Sequence, residues 1–152
     1  MRILLGSGGI ATEERRATYR ELVKNHFESS SEVLFVPLAS NDHSAYTDRM
    51  QKFLGSEAPT LVGLESFEDE IDAVNRAEAI YIGGGNSFLL IRDLHERGLI
   101  GPIRERCLGG APYLGVSAGS NVACPTMMTT NDMPIVLPPS FESFGIVPFQ
   151  IN

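Results

Sequence analysis

Cysteine is scarce in this chain: Cys107 and Cys124 are the only two, and no Cys-x-x-Cys spacing joins them. That argues against a zinc site and against a disulfide framework, and leaves two reduced thiols as the expectation. Basic residues are short as well, 12 against 19 acidic ones, for a formal net charge of -7 with the acids scattered along the chain. Without a basic face little would neutralise phosphates, so nucleic acid is not an expected partner. Long hydrophobic runs are missing too. Met1 to Leu5 holds a short apolar stretch, too brief for a signal-peptide core or a membrane span, so a cytoplasmic setting without membrane contact is expected.

What is present suits one compact α/β domain over residues 1–152, with 43% hydrophobic and 20% charged residues, 15 Gly and 9 Pro. A chain of this size buries about 68–70% of its unfolded surface, enough for one core.

The apolar pattern repeats a unit of strand, turn and helix. Arg2 to Leu5, Val33 to Val36, Thr60 to Leu64, Ala79 to Ile82 and Pro112 to Val116 read as five short strands. Several are continuous rather than alternating runs, as strands covered on both faces should be. Between them lie amphipathic stretches. Tyr19, Leu22, Val23, His26 and Phe27 share one face behind Thr12, and Tyr46, Met50, Phe53 and Leu54 share another, closed by Gly55. Ser66 is expected to cap a third helix carrying Phe67, Ile71 and Val74. Repeated βαβ units predict a doubly wound, mainly parallel sheet with helices on both faces and ligands outside the carboxyl ends of its strands.

Three glycine turns fall at such ends. Gly6-Ser7-Gly8-Gly9 lacks the spacing of a dinucleotide or P-loop motif and reads as a plain tight turn. Gly83-Gly84-Gly85-Asn86 exposes bare backbone N–H groups ahead of a helix, an anion site or a turn needing positive φ. Gly115-Val116-Ser117-Ala118-Gly119 sits between a strand and a small-residue helix, the arrangement of a nucleophile elbow. In it the N–H of Ala118 would be one oxyanion donor, and Gly84 or Gly85 would supply another. Acyl transfer at Ser117 is the chemistry this arrangement would support.

Four segments then stop being generic: Tyr81 to Asn86, Gly115 to Asn121, Thr129 to Val136 (Thr-Thr-Asn-Asp-Met-Pro-Ile-Val) and Gly145 to Asn152. Together they resemble peptidase E, the cytosolic α-aspartyl dipeptidase family of serine peptidases, related in fold to class I glutamine amidotransferases. The resemblance spans essentially the whole chain. It implies hydrolysis of dipeptides with an N-terminal aspartate, without metal or cofactor. Position by position, Ser117 matches the nucleophile, and Gly85 and Ala118 match the oxyanion-hole region, with Gly84 beside them. Asp132 matches an acid near the active site that either orients a histidine or lines the substrate pocket. An Asx-type turn before Met133-Pro134 is the structural alternative for it. Asn86 and Asn131, in the same motifs, are the substrate-binding candidates.

One departure stands out. The family's histidine follows the Gln-Ile-Asn segment in an Asn-Pro-His context, and His26, His43 and His95 do not match that position. The expectation is therefore a domain incomplete at its C-terminal end, nearly inactive alone, with an exposed sheet edge. The alternative is a non-catalytic binding protein or fragment that keeps the pocket at Gly84, Gly85 and Ser117. Pairing of two copies is left open.

Overall fold

A computed structural model describes residues 1–8 and 10–151; Gly9 of the first glycine turn and Asn152 of the closing motif lie outside the described residues. Five strands, β1 (Ile3–Gly6), β2 (Glu32–Val36), β3 (Thr60–Gly63), β4 (Ile80–Ile82) and β5 (Tyr113–Val116), form one sheet. Every pairing is parallel, in the order β1-β5-β4-β2-β3. The register sets Gly6 opposite Val116 and Ile82 opposite Gly115, so the carboxyl ends of β1, β5 and β4 finish level.

Strand residues alternate between two apolar layers, as a pleated strand requires. Leu4, Val33, Phe35, Tyr81 and Leu114 face α1 (Glu13–His26) and α2 (His43–Leu54) through Val23, Phe53 and Leu54. Ile3, Leu34, Val36, Ile80, Ile82 and Tyr113 face the other layer, made by α3 (Glu70–Arg76), α4 (Ser87–Glu96), α5 (Ile100–Leu108) and α6 (Ala118–Asn121). Phe35, Ile80 and Ile82 are fully buried, and each contributes about 1.5–3 kcal/mol relative to exposure. The doubly wound α/β fold with a parallel sheet is what the continuous apolar runs and repeated βαβ units predicted, and its class I glutamine amidotransferase-like kind is what the family resemblance implied. No helix among the described residues is long and apolar enough to cross a membrane.

Local chemistry explains most boundaries. Thr12 accepts the Arg15 N–H at 3.3 Å and starts α1, Asp42 accepts the Ala45 N–H at 3.1 Å and starts α2, and Gly55 ends α2 at φ 82°. Ser66, expected as the cap of the third helix, does not cap it. Its hydroxyl donates to the Gly63 carbonyl at 2.7 Å and closes one 3₁₀ turn, Leu64–Ser66. The third helix starts later, where the Asp69 carboxylate accepts the Asp72 N–H at 2.9 Å. Phe67 and Ile71, expected on its buried face, are 40% and 43% exposed.

Candidate active site

Ser117 follows β5 directly and has φ 53° and ψ -113°, the one positive φ at a non-glycine position among the described residues. That region costs a serine on the order of 1–3 kcal/mol, so the surrounding contacts must hold it there. The Ser117 N–H donates to the Gly6 carbonyl at 2.8 Å, and its carbonyl accepts from Ser120 and Asn121 at 2.8 and 3.1 Å. The Ser120 hydroxyl lies between the Gly6 and Gly115 carbonyls at 2.7 and 2.8 Å. Tyr113, fully buried, donates its hydroxyl to the Gly119 carbonyl at 2.6 Å.

The two motif glycines are steric necessities. A Cβ on Gly115 would lie 2.3 Å from the Gly119 carbonyl oxygen, and one on Gly119 would lie 2.3 Å from that of Ile82. The elbow is therefore folded tightly onto itself and onto the end of β4. Its product is an exposed Ser117 side chain with no hydrogen-bond partner among the described residues. This is the geometry a nucleophile elbow requires.

The Gly83–Asn86 turn packs beside it. A Cβ on Gly84 would lie 3.2 Å from Ser117 Cβ, and one on Gly85, at φ 142°, would lie 2.2 Å from the Ala39 carbonyl oxygen. Gly83 and Asn86 donate their N–H groups to the Val36 and Ala39 carbonyls at 3.1 and 3.0 Å. Among the described residues no acceptor takes the N–H of Gly84, Gly85 or Ala118. Three unengaged backbone donors thus belong to the two turns that meet at Ser117.

A cleft of about 300 Å³ opens beside Ser117, walled by the end of β1 and the turn after it, by the elbow that follows β5 and by the 130–132 segment. Ser117, Asn131 and Asp132 line it, whereas Gly84, Gly85, Asn86 and Ala118 do not. Asp132 Oδ2 accepts both the Ser87 N–H and the Ser87 hydroxyl at 2.7 Å, and the Thr130 hydroxyl lies 3.0 Å from Ser87 Oγ. One carboxylate oxygen therefore anchors the first turn of α4, where the helix dipole favours negative charge. The other has no protein partner among the described residues. Asn86 caps α4 by accepting the Leu89 N–H at 3.0 Å, and its amide donates to the Met133 carbonyl at 2.9 Å. The Asn-Asp-Met-Pro segment is thus pinned to the start of α4 from both sides.

Ser7, Gly8, Asn121 and Thr130 also line the cleft. The turn after β1, read from sequence as plain connection, is one of its walls, and its place at a strand's carboxyl end was the available signal. Histidine is absent from that lining. His26 is buried at the opposite end of β5, donating through Nε2 to the Tyr113 carbonyl at 2.9 Å, and burial pushes its pKa down. His95 Nε2 lies 2.8 Å from the Glu142 carbonyl oxygen, and His43 opens α2 behind its Asp42 cap. No group of three or more His, Cys, Asp or Glu among the described residues could hold a metal ion.

A doubly wound sheet bearing a strained, exposed serine at the carboxyl end of an inner strand, with glycine turns on both sides, defines a protein of the nucleophile-elbow class. The comparisons carry this further. Residues 2–152 match the family model described as peptidase family S51, and the chain belongs to that family. It is 42% identical over 132 residues to the peptidase E of Streptomyces coelicolor, covering 87% of this chain and 54% of the relative. It is 45% identical over 141 residues to the "Probable alpha-aspartyl dipeptidase" of Drosophila melanogaster, covering 92% and 58%. A crystal structure from Listeria monocytogenes EGD-e, provisionally named a peptidase E, superposes with a TM-score of 0.68 at 26% identity over 86% of this chain and 71% of that one. The chain therefore spans somewhat over half the length of those two curated relatives.

Proposed function

We propose that this chain carries the nucleophile and oxyanion-binding half of a serine dipeptidase acting on dipeptides with an N-terminal aspartate, in the cytoplasm and without metal or cofactor. The observation that carries the reading is Ser117, held at positive φ and exposed at the mouth of the cleft. In this reading Ser117 Oγ attacks the scissile carbonyl. The N–H groups of Ala118 and of Gly84 or Gly85 receive the oxyanion, each worth about 3 kcal/mol to the transition state. Asp132 and Asn131 face the substrate in the cleft, and Asn86 positions the 131–133 segment. The name of the Drosophila melanogaster relative supplies the aspartyl dipeptide.

None of His26, His43 and His95 lines the cleft, and in this reading none of them is the general base. A serine hydroxyl without a base is a weak nucleophile. The test is hydrolysis of Asp-Leu by this chain and by a form continued past Asn152 with the C-terminal portion of the Streptomyces relative. The extended form should turn over, and Ser117→Ala should remove that turnover; equal rates with and without the hydroxyl would reject the mechanism. The histidine-free cleft also favours a second reading, a binding protein without chemistry. Calorimetric binding of Asp-Leu with no turnover in either form would select it.

A further inference from the structure

Behind the Gly83–Asn86 turn stands Tyr46 of α2. Its hydroxyl donates to the Gly84 carbonyl at 2.9 Å, and its ring closes on Gly83 so tightly that a Cβ there would lie 2.9 Å from Tyr46 Cε1 and Oη. The ring is fixed in turn. Phe35 meets it edge-on with centroids 5.1 Å apart, and the Arg49 guanidinium carbon lies 5.5 Å from its centre. Phe35 also meets Tyr81 edge-on at 5.0 Å, and the Tyr81 and Tyr19 hydroxyls are 2.6 Å apart. An aromatic stack thus runs from β4 through β2 to α2 and ends in one hydroxyl aimed at one carbonyl.

That carbonyl is the other half of the peptide unit whose N–H belongs to Gly85. A glycine pair has few steric reasons to keep its shared peptide in one orientation, and rotation of that unit would turn the Gly85 N–H away from its present direction. A hydrogen bond to the carbonyl selects one orientation, and it also polarises the amide so that its N–H becomes a stronger donor. We infer that Tyr46 is a positioning residue which locks the Gly84–Gly85 peptide and strengthens the Gly85 N–H as an oxyanion donor. The inference rests on the reading of Ser117 as nucleophile only for its catalytic consequence; the peptide lock itself does not depend on it.

The test compares this chain with Tyr46→Phe, which keeps the ring and removes the hydroxyl, and with Tyr81→Phe, which removes a neighbouring buried hydroxyl that does not reach Gly84. Two readouts are taken. The first is the ¹H shift of the Gly85 amide in ¹⁵N-labelled protein. Tyr46→Phe should move it upfield and Tyr81→Phe should leave it in place. The second is 11B detection of the tetrahedral adduct of phenylboronic acid, in which boron takes the Ser117 oxygen and one proton passes to solvent. Tyr46→Phe should weaken adduct formation about tenfold, the loss of one polarised hydrogen bond, while Tyr81→Phe should not change it.

An unchanged Gly85 shift in Tyr46→Phe, or equal adduct affinity in the two proteins, overturns the inference and leaves the nucleophile reading standing. A Gly85 shift that moves, together with an adduct that survives Ser117→Ala, overturns the nucleophile reading and limits Tyr46 to holding the turn. Should Tyr46→Phe unfold, Tyr46→His, which can donate from its ring, must restore part of the shift, and failure to do so counts against the lock.

Discussion

The elbow's dependence on close backbone packing predicts opposite signs for two glycine-to-alanine changes. In Gly119→Ala the new Cβ would stand 2.3 Å from the Ile82 carbonyl oxygen, 3.0 Å from its carbonyl carbon and 3.1 Å from its Cβ. Ile82 ends β4, paired with β2 on one side and β5 on the other, so relief would have to displace the inner part of the sheet. Overpacking of this kind costs about 1–3 kcal/mol, and rigid backbone on both sides places the cost near ~3. Alanine's better helix propensity returns at most about 1 kcal/mol in so short a helix as α6. Clash wins by about 2 kcal/mol, which lowers Tm by roughly 4–8 °C for a chain of this length. Gly101 of α5 has nothing within 4 Å of the position a Cβ would take, so Gly101→Ala should raise Tm by about 1–4 °C through loss of unfolded-state entropy. Thermal melts followed by far-ultraviolet circular dichroism decide it. A Gly119→Ala protein as stable as Gly101→Ala would refute the packing of the elbow against β4.

Three further outcomes are expected. Ser117→Gly should stabilise the fold by about 1 kcal/mol, because relief of the positive-φ strain exceeds glycine's entropic cost, whereas Ser117→Ala should not; urea unfolding distinguishes them. Asp132→Ala should cost about 1–3 kcal/mol in the same assay, since the fully buried Ser87 loses the carboxylate that accepts both its N–H and its hydroxyl. A cost under ~0.5 kcal/mol would mean that the 130–132 segment is not anchored to α4. All four tyrosines are displaced upward from 10.0 by burial, Tyr19 to about 12 with Tyr46, Tyr81 and Tyr113 also raised. Their neutral forms are favoured in the fold, so the stability they contribute is whole below pH 10 and is lost as pH climbs above it. At pH 10 the native protein's phenolate absorbance should therefore fall well short of the urea-unfolded chain's, and equal absorbance would contradict the burial of the stack.

The sheet was legible because parallel strands buried on both faces leave continuous apolar runs, and Val33 to Val36 or Ala79 to Ile82 can hardly be anything else. The elbow was legible because glycines two before and two after a serine have a steric cause, seen here as the clashes that a Cβ at 115 or 119 would make. Less could be read where several residues compete for one task. Ser66 and Asp69 are both good caps, and only the Gly63 carbonyl, which takes the Ser66 hydroxyl, decides between them. Tyr46 gave the periodicity of a core-facing helix residue, and its hydroxyl's partner lies 38 positions away in sequence. Asp132 was expected to orient a histidine, to line the substrate pocket, or to sit in an Asx-type turn before Met133-Pro134. It lines the cleft, and its bonds to Ser87 are long-range contacts that no local pattern encodes. The Ser7–Gly8 wall was passed over because its turn matched no phosphate-binding spacing, although any turn at a strand's carboxyl end is a candidate wall.

The central claim is that Ser117 is the residue that takes the acyl group. The most direct measurement is peptide mapping by mass spectrometry after a fluorophosphonate is added to the form continued past Asn152, with hydrolysis of Asp-Leu followed alongside. The account predicts one adduct, on Ser117, forming in step with loss of activity and absent from Ser117→Ala. An adduct on any other serine that tracks the loss of activity, or full loss with Ser117 unmodified, would contradict it.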